Sequence, residues 1–179
     1  MPIEDITQKV SERYANAASS GEQMCCPTSY DMGYLKTFIP EEVLKISYGC
    51  GTPAGLKTVR AGETVLDIGS GGGIDCFEAS RLVGSTGRVI GIDMTPQQLA
   101  VAQRNVDEHR RISGLDNVGF MLGSIEDLAA SGIGDDSVDV VISNCVLNLA
   151  RDKARVLAEV FRVLKPGGLI LVKAPALKI

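Results

Sequence analysis

Residues 69–73, Gly-Ser-Gly-Gly-Gly, follow the apolar run at 65–68 and are the first part of this sequence that could do chemistry. In a parallel sheet flanked by helices, the turn from a strand into the next helix lies at the carboxyl edge, where ligands bind. Glycines let such a turn bend sharply and let a ligand approach without meeting a Cβ. Asp93 ends the next apolar run, and a carboxylate there can accept hydrogen bonds from both ribose hydroxyls. The loop and Asp93 together predict a nucleoside site.

The residues around the glycine loop distinguish between nucleosides. A dinucleotide-binding loop reads GxGxxG or GxGxxA, whereas the sixth position here is Ile74. No Gly-Lys-Ser/Thr follows, which excludes a phosphate-binding P-loop. Asp67, just before the loop, would repel a pyrophosphate but suits a cation. Because S-adenosylmethionine carries a sulfonium and an ammonium group, the pattern favours it over NAD. A tight turn that binds no ligand is the remaining alternative.

Residues 123–128, Gly-Ser-Ile-Glu-Asp-Leu, form a third candidate contact region after the third apolar run. In a doubly wound fold, we expect this loop to face the adenine. Glu126 can accept a hydrogen bond from the adenine amino group, and backbone groups can contact the ring edge. The same residues could instead begin a helix, with Ser124 as the N-cap and Glu126 and Asp127 favoured by the helix dipole. Spacing alone does not decide between these interpretations.

Five cysteines occur, and an odd number without a secretion signal is typical of reduced thiols. Cys145 follows the fourth strand at the edge where ligands bind, and Cys50 lies between two glycines, a poor context for a core residue. Cys25 and Cys26 are adjacent in a polar loop, where a bond between neighbours would be strained. We expect these four cysteines to bind a ligand or to take part in redox chemistry. Each could instead be a small buried hydrophobe, as we expect of Cys76. Paired CxxC motifs do not occur in the sequence, so a structural zinc site is not expected.

The elements that must position these residues alternate between strand and helix from residue 64 onward, which predicts an α/β fold with a doubly wound, Rossmann-like, mostly parallel sheet. N-terminal helices precede this sheet. We expect residues 1–60 to form a helical and cysteine-bearing segment and residues 61–179 to form the domain that binds S-adenosylmethionine. The strands are expected at 64–68, 88–92, 118–122, 138–142 and 169–173, and the main helices at 3–18, 74–82, 96–113 and 153–164.

Composition excludes several other classes of function. The net charge is −4, and there are four Tyr, four Phe and no Trp, so neither a basic stripe nor a base-stacking platform is available for nucleic acid. The basic cluster at residues 109–111, which includes the single histidine His109, is expected on the solvated face of a helix. No apolar run approaches the roughly 18 residues that a membrane span needs. The acidic, polar start lacks the features of a secretory signal, so a cytoplasmic location is expected.

Several short motifs together resemble the arsenite methyltransferases, a family of class I S-adenosylmethionine-dependent methyltransferases. The most specific are Tyr-Gly-Cys-Gly at 48–51 and Ser-Asn-Cys-Val-Leu-Asn-Leu at 143–149, whereas many methyltransferases share the glycine loop and Asp93. The resemblance covers roughly residues 25–168. It implies transfer of the methyl group of S-adenosylmethionine to trivalent arsenic, supplied as arsenite or its thiol conjugate and held by cysteine thiolates.

The resemblance also implies roles for individual residues. Cys50 and Cys145 match the family's arsenic-binding cysteines, and one of Cys25 or Cys26 matches an upstream cysteine that assists through a disulfide relay, which calls for a thiol reductant. Soft thiolates suit a soft centre such as trivalent arsenic. The implied cofactor contacts are Gly69, Gly71, Asp93, Met94, Ile125 and Glu126. Asp67, Gly73 and Asn144, beside these contacts, complete the candidate cofactor site.

The sequence departs from the family after the fifth strand. Residues 171–175 stand where the family has a Ser-Asp pair, and the family's further strands and an additional arsenic-binding cysteine are not found. A sheet that stops at the fifth strand has an exposed edge, at which a partner or a second copy could associate. Two alternatives therefore stay open: a methyltransferase for another small molecule, and a shortened, non-catalytic domain that binds S-adenosylmethionine or arsenic.

Overall fold

Residues 3–20, 31–45 and 56–173 are described by the structure, a computed structural model. Cys25, Cys26, Cys50 and the Tyr-Gly-Cys-Gly motif lie outside the described residues. The strands are β1 (Thr64–Ile68), β2 (Arg88–Asp93), β3 (Val118–Leu122), β4 (Val138–Asn144) and β5 (Leu164–Lys173). The helices are α1 (Ile3–Ser20), α2 (Met32–Leu35), α3 (Glu41–Lys45), α4 (Ile74–Val83), α5 (Pro96–Arg104), α6 (Val106–Ser113) and α7 (Lys153–Val163).

The five strands form one parallel sheet in the order β3-β2-β1-β4-β5. The chain moves outward from β1 to β3 and then returns to place β4 on the other side of β1. This reversal confirms the doubly wound, Rossmann-like fold, and it opens a crevice between the carboxyl ends of β1 and β4. The two helix layers bury both faces of β1, whose Val65, Leu66 and Ile68 have no exposed surface.

Each face of the sheet has its own apolar core. One cluster packs α7, through Val156, Val160 and Val163, against β1, β2 and β4. The opposite cluster packs α4 through Cys76 and Ala79, which confirms Cys76 as a core residue. Parallel strands covered on both faces are expected to be nearly continuous apolar runs, as the central strands β1 and β4 are.

The prediction of one long helix at residues 96–113 is wrong, because Asn105 divides this segment into α5 and α6. The Asn105 side chain donates to the carbonyl oxygen of Val101 (2.9 Å) and to a carboxylate oxygen of Glu42 (2.8 Å). Asparagine competes in this way with the regular helix hydrogen bonds. The break therefore depends partly on Glu42, which comes from a distant segment.

The expected exposure of His109 is also wrong, since only 1% of this residue is exposed. His109 Nδ1 lies 2.9 Å from the carbonyl oxygen of Phe38, and Nε2 lies 3.0 Å from Ser80 Oγ. Burial lowers the pKa of His109, and the hydrogen bond to Phe38 opposes that shift. The segment around Phe38 covers this side of α6, a contact that the helix sequence by itself does not reveal. Arg110 and Arg111 are exposed as expected.

Strand β5 begins five residues earlier than expected. Leu164 already pairs with Val138, and regular pairing resumes where Leu169 faces Val140. Gly167, with φ at 84°, lies in the intervening irregular stretch, in the left-handed region that favours glycine. Beyond β5, no strand among the described residues pairs with its outer edge. Within the same described ranges, no helix is both long and apolar enough to cross a membrane.

Candidate functional site

A cavity lies at the crevice between the carboxyl ends of β1 and β4, lined mostly by apolar surface. The glycine loop and the end of β2 form one wall, and residues 124–126 and 144–146 contribute others. The predicted residues that line it are Gly69, Gly71, Asp93, Met94, Ile125, Glu126, Asn144 and Cys145. Residues separated by more than 70 positions in the sequence therefore share one cavity.

The glycine loop is held against the end of β2 by main-chain hydrogen bonds. The N–H groups of Gly69 and Ser70 both donate to the carbonyl oxygen of Ile92, at 2.8 and 3.0 Å. Gly71 has φ at 52°, and a Cβ built there would meet its nearest atom, Gln98 Oε1, only at 3.8 Å. Gly71 thus presents bare backbone to the cavity, as close approach of a ligand requires.

Asp93 completes the wall beside the loop. Its Oδ2 accepts from the N–H of Gly71 (2.9 Å) and its Oδ1 from the N–H of Thr95 (2.8 Å). Burial raises the pKa of Asp93, and these two backbone donors partly oppose the shift. Hydrogen bonds from the Thr95 hydroxyl and the Met94 N–H also oppose this rise of the pKa, so three residues hold the Asp93 carboxylate in place at the cavity wall.

Asp67 and Gly73, which were predicted with the loop, do not line the cavity. Asp67 is 2% exposed and accepts a hydrogen bond from the Cys76 thiol (3.2 Å). Burial, followed by the neighbouring Asp75, raises the pKa of Asp67 well above its usual range. At Gly73, a Cβ would lie 2.6 Å from Phe120 Cζ, so this glycine allows α4 to pack closely on the sheet.

Residues 124–126 form a turn at the cavity and not the start of a helix. Ser124 Oγ accepts from the N–H of Glu126 (3.1 Å) within this turn. Glu126 Oε1 accepts from the N–H groups of Arg151 (2.8 Å) and Asp152 (3.2 Å). Glu126 therefore joins this loop to the segment that leads into α7, while it also lines the cavity.

Cys145 occupies the turn that follows β4 and is the one free thiol among the described residues that lines the cavity. Its thiol belongs to a half-buried residue, and its N–H donates to the carbonyl oxygen of Lys173 (2.7 Å). The next residue, Val146, touches the glycine loop: a Cβ at Gly69 would lie 2.4 Å from Val146 Cγ2. Only glycine at position 69 allows this turn and the loop to meet.

Sequence reasoning missed the contribution of α1. Val10 and Tyr14 of α1 line the cavity, together with Gln98 of α5. Gln98 Nε2 donates to the carbonyl oxygen of Tyr14 (3.2 Å), which links the two helices. The amphipathic pattern of α1 indicated that it packs on something, but periodicity does not say on which surface.

No group of three or more His, Cys, Asp or Glu side chains that could hold a metal ion occurs within residues 3–20, 31–45 and 56–173. His109, the single histidine, does not line the cavity. The chemistry available at the described part of the site is therefore a thiol beside a nucleoside-type wall.

Comparisons with known proteins agree with this geometry. The chain is 45% identical over 156 residues to the arsenite methyltransferase of Aquipseudomonas alcaligenes, covering 86% of this chain and 44% of that protein. It is 38% identical to the arsenite methyltransferase of Halobacterium salinarum, covering 94% and 47%. The predicted resemblance to this family is confirmed. The chain spans less than half the length of both relatives.

Solved structures give the same result. The crystal structure of an arsenic(III) S-adenosylmethionine methyltransferase from Chlamydomonas reinhardtii matches with a TM-score of 0.71 and 45% identity, over 82% of this chain and 49% of that one. A family model described as a methyltransferase domain matches residues 60–178, which is more than half of the chain. The chain belongs to the methyltransferase domain family.

Proposed function

We propose that this protein binds S-adenosylmethionine and transfers its methyl group to trivalent arsenic held by cysteine thiolates. The observation that carries the proposal is that Cys145, which has a free thiol, lines the same cavity as Gly71 and Asp93. A soft sulfur ligand thus lies beside a wall suited to a nucleoside. The names of the relatives support the same reaction.

Residues 61–179 would form the domain that holds the methyl donor. Asp93 would accept from the ribose hydroxyls, and the backbone at Gly69 and Gly71 would allow close approach. Met94 and Ile125 would contact the adenine, with Glu126 and Asn144 as polar neighbours. The fit is supported by the lack of a side chain at the cavity-lining Gly71 and by the partly buried, hydrogen-bonded carboxylate of Asp93. When bound, S-adenosylmethionine supplies an electrophilic methyl group on a sulfonium.

Cys145 would hold the arsenic, together with Cys50 and with one of Cys25 or Cys26 as the upstream thiol. The lone pair of arsenic forms the new bond to the methyl carbon, and the electrons of the breaking carbon–sulfur bond stay on sulfur. No proton leaves the arsenic in this step, so no general base is required. The burial of His109 away from the cavity is compatible with that chemistry. Positioning of the reactants then becomes the protein's main contribution.

These thiols must be reduced to bind arsenic, so we also propose a thiol reductant as a partner and a cytoplasmic location. Thiols persist in the reduced form in that compartment.

A second proposal concerns association through the outer edge of β5. Leu169, Ile170 and Val172 of this strand are exposed large hydrophobic residues. An apolar edge strand is a template for pairing with another chain. We propose that a second copy of this chain pairs there. Light scattering should then give a dimer that becomes a monomer in a Leu169→Lys variant, and a monomer in both would contradict it.

The catalytic proposal is tested by incubating the protein with arsenite, glutathione and labelled S-adenosylmethionine. We expect methylated arsenic that carries the label. Calorimetry with S-adenosylmethionine and with arsenite alone separates the alternatives. Binding of both ligands without product would indicate a non-catalytic binding domain. Binding of S-adenosylmethionine with no affinity for arsenite would indicate a methyltransferase for another small molecule.

A further inference from the structure

The backbone at Cys145 has a conformation that residues with a Cβ seldom adopt. Its φ is 62°, in the left-handed region that mainly glycine visits. Such a conformation persists only where surrounding contacts hold it, and it often occurs at functional sites. The position of the Cys145 thiol therefore depends on the residues that anchor this turn.

The anchor on the side of α4 is a hydrogen bond between two side chains. Asn144 Nδ2 donates to Asp75 Oδ2 at 2.9 Å, which ties the last residue of β4 to the first turn of α4 across 69 positions of sequence. Asp75 is 5% exposed and does not line the cavity. It contacts the cavity-lining residue Asn144, which begins the turn that carries Cys145.

The location of Asp75 is unfavourable for folding in one respect. It lies close enough to the buried Asp67 to raise the pKa of that residue, and two neighbouring buried carboxyl groups oppose each other's ionisation. An acid in the first turn of a helix is favoured by the helix dipole, but a less buried acid would serve that purpose equally well. Local features that disfavour folding are expected where a functional geometry requires them.

We propose that Asp75 is a positioning residue for the Cys145 thiol. Its carboxylate fixes the Asn144 side chain, and this contact keeps the following left-handed turn in the orientation that presents the thiol to the cavity. Asp75 itself is not among the residues that line the cavity in which both reactants would lie. The consequence for arsenic rests on the proposed function, whereas the control of thiol orientation does not.

The first test compares Asp75→Ala with Asp75→Asn, because the asparagine amide oxygen can still accept from Asn144 Nδ2. We expect Asp75→Ala to lower arsenite affinity about tenfold, the lower end of the effect of losing a group that orients a ligand. Asp75→Asn should restore most of that affinity, and Asp75→Ala should weaken S-adenosylmethionine binding by less than it weakens arsenite binding, because the donor keeps its contacts with Gly71 and Asp93. Ser80→Ala is the matched control, since it removes buried hydrogen bonds from the same helix far from the turn.

The second test needs no arsenic. Iodoacetamide alkylation, quantified by mass spectrometry, follows Cys145 and Cys76 separately because trypsin releases them on different peptides. Cys76 is fully buried on α4, so its alkylation reports opening of that helix. We expect Asp75→Ala to speed alkylation of Cys145 severalfold while Cys76 stays protected, and we expect Ser80→Ala to leave the Cys145 rate unchanged.

Two results would overturn the proposal: an unchanged Cys145 rate in Asp75→Ala, or faster labelling of Cys76 in parallel with Cys145. The second result would mean that Asp75 only stabilises α4. If wild-type protein has no affinity for arsenite and yet Asp75→Ala alters Cys145 alone, the arsenic function fails and the positioning role stands.

Discussion

The two walls of the crevice are built in different ways. On the β2 side, the N–H of Gly69 donates to the Ile92 carbonyl oxygen and the N–H of Gly71 to the Asp93 carboxylate, contacts that lie within one strand-helix-strand unit. On the β4 side, Cys145 is held by tethers that reach α4 and β5. A local unit of the first kind can serve many nucleoside ligands. The second wall gives the crevice a thiol, a ligand type that suits soft centres.

The largest expected effect comes from removing the thiol of the β4 wall. Cys145→Ser should lower arsenite methylation by more than the roughly 10–100-fold that loss of a ligand-orienting group costs, because it removes the ligand itself. Calorimetric affinity for S-adenosylmethionine should stay at the wild-type value. The assignment of the β4 wall to arsenic would be wrong if this variant lost S-adenosylmethionine and kept arsenite.

The next effect tests the contact between the walls. Gly69→Ala places a Cβ 2.4 Å from Val146 Cγ2 at a φ of 79°, so we expect the free energy of unfolding to fall by about 2–4 kcal/mol. Gly114→Ala is the control, since φ there is 74° but a Cβ would meet nothing within 4 Å. That variant should lose about 1 kcal/mol in urea titrations. Equal losses would mean that the loop and the Cys145 turn do not press on each other.

A smaller effect concerns the β2 wall alone. Asp93→Ala should weaken S-adenosylmethionine binding by about 1–3 kcal/mol, through loss of charge-assisted hydrogen bonds. Arsenite affinity should change little, because the Cys145 turn has no hydrogen bond to Asp93. Calorimetry with each ligand checks both statements. A selective loss of arsenite affinity would contradict the assignment of the β2 wall to S-adenosylmethionine.

The smallest effect belongs to neither wall. Burial lowers the pKa of His109 in the folded protein, so the unfolded chain binds more protons below about pH 6.5. The contribution of His109 to the free energy of unfolding is fully present above that pH and is lost as the pH falls through the lowered pKa of the folded protein. Unfolding titrations should show a decline that is shallower in His109→Gln, with no change in the ratio of the two ligand affinities. Identical pH profiles for the two proteins would remove His109 as the cause.

The β2 wall of the crevice could be predicted from the sequence, and the β4 wall could be predicted only in part. Strands β1 and β3 have the expected limits because each is a short apolar run, and spacing after the strands identified Gly71 and Asp93. The family motif identified Cys145, but nothing near it in the sequence indicates the hydrogen bond to Asp75. This contact forms only when the fold brings distant elements together.

Contacts between distant segments also explain why other predictions were wrong or incomplete. Burial of His109 depends on Phe38, and the helix break at Asn105 involves Glu42, both from a segment more than 60 positions earlier. Tyr14 reaches the cavity from further still. Periodicity within one helix reports how apolar each face is and not which partner covers it.

Arsenic anomalous scattering from a crystal grown with S-adenosylhomocysteine and arsenite tests the central claim most directly. The account predicts an arsenic peak bonded to Cys145 Sγ, with the nucleoside against Gly71 and Asp93 and its sulfur turned toward the arsenic. An arsenic peak remote from Cys145, or a nucleoside bound outside this crevice, would contradict it.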